Sequence, residues 1–162
     1  MGFIRIKKIK GQEYAYLVEN KWYQRKHKWK GTGSRQAVSK YLGRVFSFPK
    51  SQEVDFLAFV KAGSFDAYLA NTQEDQVIKD LVLWELFRHE ISIEEFSIDF
   101  IGKKIMKKGR EISLRINEGF LNSFTLRRIF HPTKEESYYL AKIYIEAGIE
   151  IPKEIFVGLY AE

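Results

Sequence analysis

Residues 21–43 read KWYQRKHKWKGTGSRQAVSKYLG, and the path of this stretch decides the architecture of the first third of the chain. Successive side chains on a β-strand point to opposite faces. Here alternation sets Trp22, Gln24, Lys26 and Lys28 against Tyr23, Arg25, His27 and Trp29, which makes a polar, aromatic strand rather than an aliphatic one. Gly31-Thr32-Gly33-Ser34 breaks the run, and residues 35–45 resume it with Val38 and Leu42 in phase on one face. Working outward, EYAYLVE (13–19) places Tyr14, Tyr16 and Val18 opposite Ala15 and Leu17, and Asn20 is expected to end that strand. FIRIKKI (3–9) alternates Ile4 and Ile6 against Arg5 and Lys7, with a turn at Gly11-Gln12. The connections are too short for parallel crossovers, so three or four antiparallel strands are predicted.

Beyond residue 52 the pattern turns helical. Short helices are predicted over 53–62 and 65–70, separated by Gly63-Ser64. Thr72 with Asp75 marks the start of a longer one running to about Glu90, whose Val77, Ile78, Leu81 and Trp84 follow helical spacing and form a central core helix. Ile112, Leu114 and Ile116 alternate, as do Phe96, Ile98 and Phe100, so a β-hairpin turning at Lys107-Lys108-Gly109 is predicted over 95–117. Helices follow over 120–130, over 134–147 up to Gly148, and after Pro152. The predicted fold class is α+β: a basic antiparallel sheet module at 1–48 and a mainly helical body with one hairpin at 49–162, divided near Pro49.

The 162 residues contain no cysteine, which excludes a disulfide framework, a thiolate zinc site and a cysteine nucleophile. MGFIRIKKIK lacks the uncharged apolar run of a signal peptide, and no segment approaches the roughly 20 apolar residues of a membrane helix, so a cytoplasmic protein with no membrane partner is expected. Heavy use of Lys, Glu, Ile, Tyr and Phe leans towards a thermophile. Charge is uneven. Residues 1–50 carry 13 Lys and Arg against Glu13 and Glu19, a net +11, while residues 51–162 carry 14 against 19 acids, a net −5. Such asymmetry points to a polyanionic partner.

Cations on a strand neutralise phosphates and release counterions, and aromatic rings between them stack on bases or line a groove. The residues expected to bind nucleic acid are Lys21, Trp22, Tyr23, Arg25, Lys26, Lys28, Trp29, Lys30, Arg35, Lys40 and Arg44. The competing account packs Trp22, Trp29, Tyr14 and Tyr16 on the body and leaves the lysines as a solvated, aggregation-resistant edge. Solvation, however, does not require a net +11 in fifty residues.

IKGQEYAYLVEN (9–20) followed by RQAVSKYLGRV (35–45) resembles the N-terminal segment of transposases from archaeal and bacterial insertion sequences, in which a Tyr-Tyr-Leu-Val-Glu strand precedes a basic hairpin ending in Lys-Tyr-Leu-Gly. The matching positions are Tyr14, Tyr16, Leu17, Val18 and Glu19, then Arg35, Gln36, Lys40, Tyr41, Leu42 and Gly43. In those transposases the segment is accessory to a much larger carboxylate nuclease core for which this chain has no room. The resemblance therefore implies an association with DNA without transposase activity. The whole chain, including GREISLRINEGFLNSFTLRRIF and YYLAKIYIEAGIEIPKEIFVGLY, is also similar to small archaeal proteins of unassigned function.

Elsewhere the chemistry is sparse. His27, His89 and His131 have no paired metal spacing, and Arg88, His89 and Glu90 suit a helix end facing the dipole. Glu85, Asp99 and Glu111 echo the carboxylate order of a metal-dependent nuclease, but Ser113 stands where that chemistry expects lysine. Tyr138, Tyr139, Tyr144, Phe156 and Tyr160 on the last helices suit either core packing or a homodimer. The expectation is a non-catalytic nucleic-acid-binding protein, DNA ahead of RNA, with no cofactor, metal site or catalytic residue. The alternatives are, second, an oligomerising adaptor or regulator for an acidic protein and, third, a nuclease.

Overall fold

Lys10 and Gly11 both have positive φ, 51° and 81°, and they close a two-residue turn between β1 (Gly2–Ile9) and β2 (Gln12–Gln24). Left-handed residues at both central positions give a tight turn the same twist as its strands. In this computed structural model, which describes residues 2–24 and 32–161, β2 continues antiparallel onto β3 (Thr32–Ser47). Asn20 does not end the second strand as its weak β propensity suggested. It lies in the ladder opposite Gln36, and residues 12–24 form one 13-residue strand. The pairing of Glu19 with Ala37 before it and of Lys21 with Arg35 after it outweighs the preference of a single residue.

The chain then builds three helices, α1 (Phe56–Val60), α2 (Phe65–Ala70) and α3 (Glu74–Arg88), before returning to strands. These are β4 (Ser97–Asp99), β5 (Lys104–Lys107), β6 (Arg110–Ile116) and β7 (Gly119–Leu121). Lys108 and Gly109, again both at positive φ, make the β5–β6 turn foreseen in the sequence. The helices α4 (Ser123–Phe130), α5 (Ser137–Glu146) and α6 (Lys153–Tyr160) complete an α+β fold. Its strands run in the order β1-β2-β3-β6-β5-β4, with β7 also paired to β6. The junction is β3 with β6, which pair in parallel from Arg44↔Ile112 to Ser47↔Arg115. A parallel neighbour needs a long crossover, and α1 to α3 with β4 and β5 supply it.

The main core gathers Val77, Ile78 and Leu81 of α3 against Leu114 and Ile116 of β6 and Leu126, Ile143 and Tyr144 of the later helices. The strand β7 was not foreseen, because residues 120–130 carry a helical pattern throughout. Asn122 decides where the helix begins: its Oδ1 accepts from the Phe124 and Thr125 N–H groups at 3.0 and 3.1 Å, and Thr125 Oγ1 accepts from Asn122 N–H at 3.0 Å. This reciprocal capping box satisfies the first-turn donors.

A second, smaller core joins the first strands to α4 and β7. Ala15, Leu42 and Val45 are buried there, against Ile4, Ile6, Leu17, Phe120 and Phe124. Leu42 and Ser39 have no partner opposite them in β2, so β3 bulges at both. A bulge re-aims side chains, and here Leu42 is buried while the adjacent Tyr41 is 49% exposed. The Leu42 carbonyl accepts from Ser113 Oγ at 2.8 Å, and Asn122 Nδ2 donates to that hydroxyl at 3.2 Å, so one buried chain of hydrogen bonds ties bulge, β6 and helix cap together. Gly43 follows with φ 98°, and a Cβ there would lie 2.3 Å from the Glu111 carbonyl oxygen. Gly43→Ala is expected to cost roughly 1–3 kcal/mol through backbone strain alone, with the clash added. Chemical denaturation checks this, and a loss below about 0.5 kcal/mol, the range of a neutral surface change, would contradict the account.

Candidate nucleic-acid interface

The pairing of β1 with β2 ends at Gly2↔Glu19, while β2 and β3 remain paired from Asn20↔Gln36 to Gln24↔Thr32. Among the described residues this end of the sheet is a two-stranded ribbon about 13 Å long at strand rise. Lys21 and Arg35 sit directly opposite one another on it, and both are exposed. Opposed like charges destabilise a strand pair, so the arrangement costs stability unless an anion lies over it. Trp22 and Tyr23 belong to the same ribbon, opposite Ser34 and Gly33. Arg25, Lys26, Lys28, Trp29 and Lys30, which the sequence also nominated, lie outside the described residues, as does His27.

The other nominated cations separate. Lys40 is turned to the body: its Nζ donates to Ser123 Oγ at 3.1 Å and lies 3.8 Å from Glu111 Oε1. Arg44 is exposed, its guanidinium 4.9 Å from the centre of the Phe46 ring, at the wall of a groove the sequence reading had missed. That groove has a volume of about 630 Å³ and lies between the β2–β3 pair and the β5–β6 turn. Tyr14, Tyr41 and Phe46 supply its rings, and Arg44, Lys107, Lys108 and Arg110 its cations. Strand register puts Lys7, Tyr14 and Arg44 in one row and Arg5, Tyr16 and Tyr41 in the next, all on one face. The ring centres of Tyr16 and Tyr41 are 5.2 Å apart, those of Tyr14 and Tyr41 6.4 Å, and Lys7 Nζ lies 4.9 Å from the Tyr16 centroid.

The tyrosines therefore occupy the face opposite Ala15 and Leu17, and it is the latter pair that joins the small core. Burial raises the Tyr41 phenol above its ordinary pKa, with Tyr16 and Tyr14 adding to the shift and Arg110 opposing it. The ring stays neutral at physiological pH. The alternation of Tyr14 and Tyr16 was visible in the sequence, but their meeting with Arg110 depends on the β3–β6 pairing, which no local pattern records.

The three carboxylates with a nuclease-like order serve separate structural purposes. Asp99 Oδ1 accepts from the Ile101 and Gly102 N–H groups in the β4–β5 turn, and Glu111 pairs with Lys40. Glu85 is wholly buried, and Arg88 and His89, expected as helix-end cations, are almost wholly buried beside it. Among the described residues no group of three His, Asp or Glu could hold a metal ion, and no helix is long and apolar enough to cross a membrane. No family model, curated protein or solved structure matches this chain.

Proposed function

We propose that this protein binds nucleic acid without catalysis, DNA ahead of RNA, through the β2–β3 ribbon. The observation that carries this reading is the exposed Lys21–Arg35 pair, two like charges in register across the β2–β3 ladder. Such a pair is unfavourable alone and favourable against phosphates, whose condensed counterions it would release. A two-stranded ribbon fits the major groove of B-DNA, about 12 Å wide, whereas the deep, narrow major groove of A-form RNA shuts side chains out. The net +11 of residues 1–50 supplies the attraction at longer range.

The test is fluorescence anisotropy of labelled duplex DNA and duplex RNA of equal length across a salt series. Affinity for DNA should exceed that for RNA and should fall steeply as salt rises, by about 0.9 logarithmic units per decade for every phosphate contact. No association with either duplex at 50 mM salt would overturn the reading and leave an acidic protein as the partner of the basic strands.

A further inference from the structure

We infer that the tyrosine-lined groove is a subsite for one unpaired nucleotide of a DNA strand, with the base against Tyr41 and its phosphates on the cations of the β5–β6 turn. This rests on the nucleic-acid reading above, but on residues the ribbon does not use.

Three features carry it. The first is size: about 630 Å³ lies within the roughly 300–1,000 Å³ of pockets that enclose one small ligand. A nucleotide is such a ligand, and a duplex is not. The second is what the groove presents. Tyr41 is 49% exposed, braced on one side by Tyr16 and Tyr14, whose rings are tilted 47° and 36° to it. A braced aromatic ring recognises a base by its flat face, and in a duplex that face is covered by the neighbouring base pairs. Only an unpaired base can offer it.

The third feature is charge. Lys107 is paired with Glu95 at 2.9 Å, and Glu111, the only acid lining the groove among the described residues, has Lys40 beside its carboxylate. Among the described residues Arg44, Lys108 and Arg110 have no carboxylate within salt-bridge distance. Lys108 is at the tip of the turn, where its backbone is left-handed, φ 51°, and it lines the groove. Rings with Arg44 on the strand wall, and the uncompensated Lys108 and Arg110 on the wall formed by the β5–β6 turn, are the two halves of nucleotide recognition. The bulge at Leu42 maintains them, since it buries Leu42 while leaving Tyr41 on the outer face.

The experiment compares a labelled single-stranded DNA with a blunt duplex of the same sequence, using the wild-type protein, Tyr41→Ala and Tyr41→Phe. Tyr41→Ala should weaken single-strand binding roughly 5- to 150-fold, the range for one lost base–aromatic stack. Duplex binding should change less than about twofold, since the ribbon is untouched, and Tyr41→Phe should restore single-strand affinity because it keeps the ring. Unchanged single-strand affinity in Tyr41→Ala, or equal losses for both DNAs, would overturn the subsite while leaving the ribbon reading in place. Failure of the wild-type protein to bind either DNA would overturn both.

Discussion

Glu85→Ala is expected to lower the free energy of unfolding by roughly 2–5 kcal/mol, at about 1–3 kcal/mol for each buried donor left without its acceptor. The Glu85 carboxylate is the hub of a cluster that holds the end of α3 to the turn after β6 and the segment after α5. Its Oε1 accepts from Arg88 Nη1 at 3.1 Å and from the Glu150 N–H at 2.9 Å, and its Oε2 accepts from Asn117 Nδ2 at 3.2 Å. Arg88, 3% exposed, reaches outward to Glu53 and Glu150 at 3.2 and 3.1 Å and lies 4.1 Å from the centre of the Trp84 ring. Alanine at position 85 takes the acceptor from Arg88 Nη1 and from the Glu150 N–H, while Arg88 keeps Glu53 and Glu150 and Asn117 keeps the Gly148 carbonyl at 2.6 Å. Denaturant unfolding checks the value, and a loss under 1 kcal/mol would show that the cluster is dispensable.

The same cluster has a signed pH dependence. Burial raises the Glu85 pKa, and the Glu150 N–H, Arg88 and Asn117 only partly oppose the shift. A carboxyl raised on folding contributes stability that is fully present below its unfolded pKa and is lost as pH rises through the folded value. The stability advantage of wild type over Glu85→Gln, which cannot titrate, should therefore be larger at acid pH and shrink as pH rises. Glu150 runs the other way. Burial works against its ionisation, but hydrogen bonds from Lys50 and Arg88 prevail and hold it below the usual carboxylate range. Its contribution is present above the unfolded pKa and fades as pH falls through the depressed one.

The second large effect concerns binding. The double variant Lys21→Ala, Arg35→Ala should lose roughly 30-fold in affinity for duplex DNA at 0.15 M salt, because each lost phosphate contact removes about 0.9 from the logarithmic salt slope. The slope itself should flatten by about 1.8. Stability should move in the opposite direction: relieving two like charges in register ought to raise the unfolding free energy by a few tenths of a kcal/mol. Loss of binding with a gain in stability is the signature of residues kept for function at a cost to the fold. If affinity is unchanged, or falls only because the protein has unfolded, the ribbon is not the interface.

Much of the fold class was legible because strands and helices write their facing into local periodicity. The tight turn at Lys108-Gly109, the alternation of Ile112, Leu114 and Ile116, and the apolar spacing of α3 follow from rules that span fewer than about ten residues. The misses were local conflicts settled from a distance. Asn20 stayed in its strand because Gln36 pairs with it, and residues 119–121 became β7 because β6 lies alongside. Of the candidate interface, Lys21, Arg35 and Arg44 were nominated from charge alone, whereas Lys7, Lys107, Lys108 and Arg110 were not.

Periodicity and charge, which each residue carries wherever the chain goes, thus established the α+β class and the basic first third before any contact was known. The parallel seating of Arg44 beside Ile112, the tyrosine groove that this seating closes and the burial of Glu85 belong to the tertiary structure. They join residues tens of positions apart, and such meetings depend on which apolar surfaces pack together, a property of the assembled core that no short window of sequence contains.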